Sequence, residues 1–175
     1  MVVFAVSALA AAAAQQAPAP PLDAQQMCAH EFGEPFKLDP KFAPLTVDLD
    51  GDGQEDLVLV ATAKNPLSGD LDYHYRAIDP YDGYFGWGNV QETVQFSATH
   101  AGAARYVLVV HNWRAPKAKF VIINLPFDRL SLGRMAIRKK KSVNTIHAVE
   151  IGGLSADVYW DGKKYKWEPS SLAED

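Results

Sequence analysis

From Pro44 onward, the apolar side chains of this 175-residue chain come in short β-branched and aromatic runs, each closed by a cluster of Gly, Pro, Asn or Asp. Runs of that length are too short for a helix to bury a face along, and Val, Ile, Tyr and Phe fit a pleated surface well, so the segment is written for strands. The spacing predicts about eight antiparallel strands over 45–48, 56–63, 90–97, 105–112, 120–125, 143–151, 154–160 and 164–167. The last two make the clearest hairpin, because Asp161 and Gly162 in "VYWDGKKYKW" suit a tight type I′ turn with positive φ. Helix is scarce: only "PFDRLSL", 126–132, is expected to form a turn or two. The expected class is therefore mainly β, in a compact sheet, a sandwich or a propeller-blade-like arrangement.

A hydrophobic content of 48% over this length supports one domain with a real core and leaves little room for two. The net charge of -4 gives no basic face of the kind nucleic acid requires. The run Arg138, Lys139, Lys140 and Lys141 reads as a solvated turn between strands. Residues 1–14 read as an export signal, with an apolar stretch too short to cross a bilayer and small residues Ala12 and Ala14 at a cleavage site. No Lys or Arg precedes that stretch, which places the expected translation start further upstream. Residues 15–36 then form a Pro-rich tether and N-terminal segment, and 37–175 the β-rich domain, with no transmembrane segment in the mature chain. The expected location is periplasmic or extracellular. Cys28 is the one cysteine, so no internal disulfide is possible, and burial as a small apolar side chain or pairing between molecules is its expected state.

The stretch "VDLDGDGQEDLVLV", 47–60, crowds four aspartates against a strand. Carboxylates about 5 Å apart repel by about 3 kcal/mol per pair at an effective dielectric of about 20, so such a loop calls for a cation. Calcium wants six to eight oxygens, and D-x-D-x-D-G-x-x-D supplies them at loop positions 1, 3, 5 and 9 through Asp48, Asp50, Asp52 and Asp56. Gly53 allows the sharp bend, and the Gln54 carbonyl falls at position 7. The competing reading is a plain Asp/Gly turn with solvated charges, which has no reason to keep that spacing. An EF-hand is excluded, since position 12 is Leu59 instead of a bidentate Glu and a strand follows.

The segment "LTVDLDGDGQEDLVLVA" resembles the FG-GAP or VCBS-type repeat of exported bacterial proteins, related to the calcium loops of integrin α-subunit propellers. The resemblance implies a loop that joins two antiparallel strands and binds Ca²⁺ through Asp48, Asp50, Asp52, the Gln54 carbonyl and Asp56. The resemblance covers about twenty residues and the motif occurs once in the chain, whereas a propeller needs at least four blades, which leaves an isolated repeat-like sheet or a sandwich.

The connection 64–89 carries Tyr73, Tyr75, Tyr81, Tyr84, Phe85 and Trp87 among glycines and aspartates. These rings form either a platform for a protein or glycan or the loop's own small core, and a loop this long is expected to pack on itself. No H-E-x-x-H, G-x-S-x-G, phosphate loop or Cys/His zinc set is present, and the five histidines are scattered. His111, closing "RYVLVVHNW", either lines a pocket or caps the sheet. The expected function is a non-catalytic, calcium-stabilised binding module of the envelope or secreted fraction. The alternative is a hydrolase of envelope polysaccharide or peptide that uses acidic residues of 64–89 such as Asp72 and Asp82, or Glu92 nearby.

Overall fold

The computed structural model describes residues 23–64, 66, 70–86, 104–137, 141–150 and 153–170. In chain order the elements are helix α1 (Ala24–Phe32), strands β1 (Lys37–Leu38), β2 (Leu45–Val47) and β3 (Asp56–Ala63), helix α2 (Asp70–Tyr73), strand β4 (Arg76–Ile78) and helix α3 (Pro80–Phe85). Then come strands β5 (Ala104–His111), β6 (Ala118–Ile122), β7 (Arg129–Ile137), β8 (Lys141–Val149), β9 (Ser155–Trp160) and β10 (Tyr165–Pro169). The protein is mainly β, as its sequence implies.

Two open sheets stack. The larger runs β1-β3-β5-β6-β4, with β2 sharing the β1 edge of β3, and the smaller is the meander β10-β9-β8-β7. Strands β3 and β5 are apolar without alternation because both their faces are covered. Val58, Val60, Val107, Val109, Phe120 and Ile122 meet Ile146, Ala148, Val158, Tyr165 and Trp167 of the small sheet. Leu57, Leu59, Ala61, Tyr106, Leu108 and Val121 point the other way, onto Cys28 and Phe32 of α1 and onto Phe36 and Tyr75. The layers are thus helix, six-stranded sheet and four-stranded sheet.

Several local expectations need correction. Residues 129–137 form β7, not a helical turn, because they pair with β8 from Arg129↔Val149 to Ile137↔Lys141 and exposure alternates along them. The β9–β10 loop spans four residues: Trp160 pairs with Tyr165, Gly162 alone among 161–164 has positive φ, and the Asp161 carboxylate accepts the Lys163 and Lys164 N–H groups at 2.9 and 3.0 Å. A type I′ turn needs positive φ at two residues, so the capped wider loop replaces it. Strand β4 runs parallel to β6, unlike every other described pair, because it arrives by a crossover that no hairpin constrains. Helix α1, within the expected tether and N-terminal segment 15–36, packs on the body of the fold: Asp23 caps it by accepting Gln26 N–H at 3.0 Å, and Gly33 ends it. Cys28 is fully buried beneath it, and burial pushes its thiol up to about 11. The expected strand 90–97, Trp87, residues 138–140 of the basic run and the leader lie outside the described residues.

Candidate metal centre

The acidic loop leaves β2 after Val47 and enters β3 at Asp56, so it sits where Val47 pairs with Asp56. Its first half is closed by its own backbone. Asp48 accepts Gly51 N–H at 2.7 Å and Asp52 N–H at 3.1 Å on Oδ1, and Gly53 N–H at 2.9 Å on Oδ2. Gly51 and Gly53 both have positive φ, the conformation that lets successive N–H groups turn toward one carboxylate. Asp50 accepts Asp52 N–H at 3.2 Å, and Asp52 accepts Gln54 N–H at 2.9 Å. These alternate positions bring one carboxylate oxygen each of Asp48, Asp50 and Asp52 within 4.8 Å of one another. From the small sheet, Asn144 Nδ2 donates to the Asp48 carbonyl at 2.7 Å and anchors the loop across the sandwich.

Asp56 belongs to a different group. It is fully buried; Oδ2 accepts Leu49 N–H and Oδ1 accepts Asn112 N–H, both at 2.8 Å. Sheet register explains its neighbours: Leu57 pairs with Val110, so the next step along each strand sets Asp56 beside His111. His111 Nδ1 lies 3.0 Å from Asp56 Oδ2 and 3.6 Å from Asp50 Oδ2, and these three residues form a second convergent set that shares Asp50 with the first. The imidazole is 2% exposed, stacks on Tyr165 at 5.8 Å and 11°, and is edged by Phe120 and Trp160. Its Nε2 lies 3.0 Å from the Tyr165 hydroxyl. Burial, then the charges of Asp56 and Asp50, hold the Tyr165 phenol well above its usual range, so it stays neutral.

Lys117, immediately before β6, is the cation that sequence reading missed. Its ammonium pairs with Asp52 and lies 3.4 Å from Asp50 Oδ2. The pairing lowers the Asp52 carboxyl and raises the Lys117 amine. No local signal marks this partner; the register His111↔Ala118 brings it to the loop.

The aromatic residues of 64–89 divide. Tyr75 is buried against Phe32 and Phe36, with its hydroxyl donating to the Pro66 carbonyl, and Tyr73 packs beside it. Tyr81, Tyr84 and Phe85 of α3 gather on Trp167 of β10 at 5.1, 4.9 and 5.9 Å. Tyr84 and Phe85 remain 49% and 42% exposed, so this part packs on the body of the protein and still shows ring surface to solvent. Of the acidic residues in this connection, Asp72 is exposed, while Asp82 accepts Asn124 Nδ2 at 3.0 Å beside the buried Asp79.

A third polar cluster lies on the outer face of the small sheet, next to a groove lined by Lys41, Phe42, Arg129 and Ser131. Asp157 accepts from Thr145 at 2.7 Å and from Ser170 at 2.7 Å, and faces His147 Nδ1 at 3.2 Å. The Ser, His and Asp types are those of a nucleophilic triad, but the connectivity is not. Ser170 donates to the carboxylate, and the imidazole nitrogen nearest it, at 3.5 Å, is the one already facing Asp157. Comparison with protein-family models, curated proteins and solved structures finds no match to this chain.

Proposed function

We propose that this chain is an exported, non-catalytic binding module whose first hairpin is held by Ca²⁺, with the half-exposed Tyr84 and Phe85 as its contact surface for a protein or glycan. The observation that carries the reading is the convergence of Asp48, Asp50 and Asp52 on one exposed loop. Three carboxylates there face one ammonium, that of Lys117, and a divalent ion balances the remainder. The donors are oxygens alone, with the Gln54 carbonyl next along the loop, which suits a hard cation. Asp56 serves this site by holding the loop to β5 through the Leu49 and Asn112 N–H groups. The apolar leader supports export, and outside the cytoplasm calcium is plentiful. Tyr84 and Phe85 are backed by Tyr81 and Trp167, and rigid aromatic rings give contact area at low entropic cost.

Thermal melts in millimolar calcium and in chelator test the reading. With a dissociation constant of about 10 μM, calcium at about 1 mM adds about 2.7 kcal/mol, and Tm rises by about 5 to 11 °C. Asp50→Ala is expected to make Tm nearly independent of calcium. A wild-type Tm that is the same in both buffers leaves the loop an ordinary Asp/Gly turn braced by Lys117.

A further inference from the structure

We propose that Asp50, Asp56 and His111 form a second, inner metal site that takes a divalent transition ion of the zinc class. This goes beyond the calcium reading: Asp56 and His111 are outside the outer group, and only Asp50 is shared. The inner set offers one imidazole nitrogen and two carboxylates, a donor mixture that suits zinc and its neighbours and that calcium disfavours.

His111 supplies the observation that separates this set from an ordinary acidic cluster. Its Nδ1 is buried and, among the described residues, has no hydrogen-bond partner, although Asp56 Oδ2 is only 3.0 Å away. A buried polar atom left in that state is destabilising, and a metal lying between the carboxylates removes the cost. The separations fit. Bonds of about 2.1 Å place neighbouring ligand atoms about 3.0 Å apart in octahedral geometry and about 3.4 Å apart in tetrahedral geometry, and the observed separations from Nδ1 are 3.0 and 3.6 Å. Nε2 at 3.0 Å from the Tyr165 hydroxyl is the outer contact that fixes a ligating imidazole: with the proton on Nε2 and donated to the phenol oxygen, Nδ1 presents its lone pair. Phe120, Trp160 and Tyr165 hold the ring in that orientation. Entry is from the loop side, where the Asp50 side chain keeps 13% of its surface in solvent.

The test uses the full chain, stripped with chelator and titrated with Zn²⁺ and with Co²⁺ as its visible-absorbing substitute. One Co²⁺ per chain is expected, displaced by Zn²⁺ and retained in millimolar Ca²⁺. Ring-nitrogen NMR is expected to show Zn²⁺ moving Nδ1 of one imidazole, that of His111. Tyr165→Phe removes only the outer hydroxyl and keeps the packing, and it is expected to weaken Zn²⁺ by about 10- to 100-fold. Asp48→Asn is expected to abolish the calcium-dependent Tm shift and leave Zn²⁺ binding intact, so the two sites fail separately. The inner site is overturned by Zn²⁺ binding that moves no ring nitrogen, by release of Co²⁺ in millimolar Ca²⁺, by Tyr165→Phe binding Zn²⁺ as tightly as wild type, or by no Zn²⁺ binding at all.

Discussion

Asp79 shows how a single buried carboxylate can make stability depend on pH. It caps α3 by accepting Asp82 N–H at 2.8 Å, and it accepts Asn124 Nδ2 at 3.1 Å. Burial is the largest influence and, against those donors, pushes its carboxyl from 3.8 up to about 6. The folded chain therefore keeps a proton that the unfolded chain has released across that window. The contribution to stability is full below about pH 4 and is lost as pH rises through about 6. At 1.36 kcal/mol per unit, the rise from 3.8 to about 6 amounts to about 3 kcal/mol. Asp79→Asn keeps an N-cap acceptor without the charge. Urea unfolding between pH 4 and 7 is expected to show a flatter profile for Asp79→Asn and a gain of about 1–3 kcal/mol at pH 7. A variant whose profile overlays wild type would assign the pH response to other groups. Helix α3 was not expected, although Asp79 before Pro80 and Gly86 after the last turn are its local end signals. The burial of Asp79 has no local signal, because it depends on Asn124 and on α3 packing against β10.

At the scale of elements, β7 and α1 were missed, whereas β3, β5 and β8 were anticipated. The end signals of α1 were present: Asp23 with Gln26 three residues on, and Gly33 after the last turn. The amphipathic signal was weak because the buried face is narrow and carries a charge. Cys28, Glu31 and Phe32 are its buried residues, and Glu31 is tolerated through Lys119 at 3.1 Å and His30 at 2.7 Å. If α1 were part of a tether, Phe32→Ala would leave stability unchanged. Because Phe32 fills the layer between α1, Phe36 and Tyr75, Phe32→Ala is expected to cost about 3–5 kcal/mol in chemical denaturation. A cost under about 0.5 kcal/mol would return α1 to the surface.

For the molecule as a whole, β3 and β5 contribute one face to each core, so neither core survives loss of the other. Val158→Ala on the small-sheet side is expected to cost about 2 kcal/mol and, like Phe32→Ala, to shift a single transition. Near-ultraviolet dichroism, which reads packed aromatic rings in both cores, among them Trp167 on the small-sheet side and Trp113 on the helix side, and far-ultraviolet dichroism should then give superimposable melts. Two separated transitions would mean that the layers unfold independently.

The residues near one another in sequence determined their own arrangement. Apolar β-branched runs made strands, and alternate aspartates with Gly51 and Gly53 brought Asp48, Asp50 and Asp52 together, because a tight loop is governed by the φ, ψ and hydrogen bonds of its own residues. Only the tertiary structure decided that Asp56 turns inward to His111, that Lys117 and Asn144 reach the loop, and that Tyr84 and Phe85 face solvent while Tyr75 does not. Those outcomes follow from which strands pair and in what register, and a slip of one residue between β3 and β5 would carry their side chains to opposite faces. Pairing that joins distant segments is selected by burial of both sheet faces at once, a property of the assembled layers and not of any short stretch of chain.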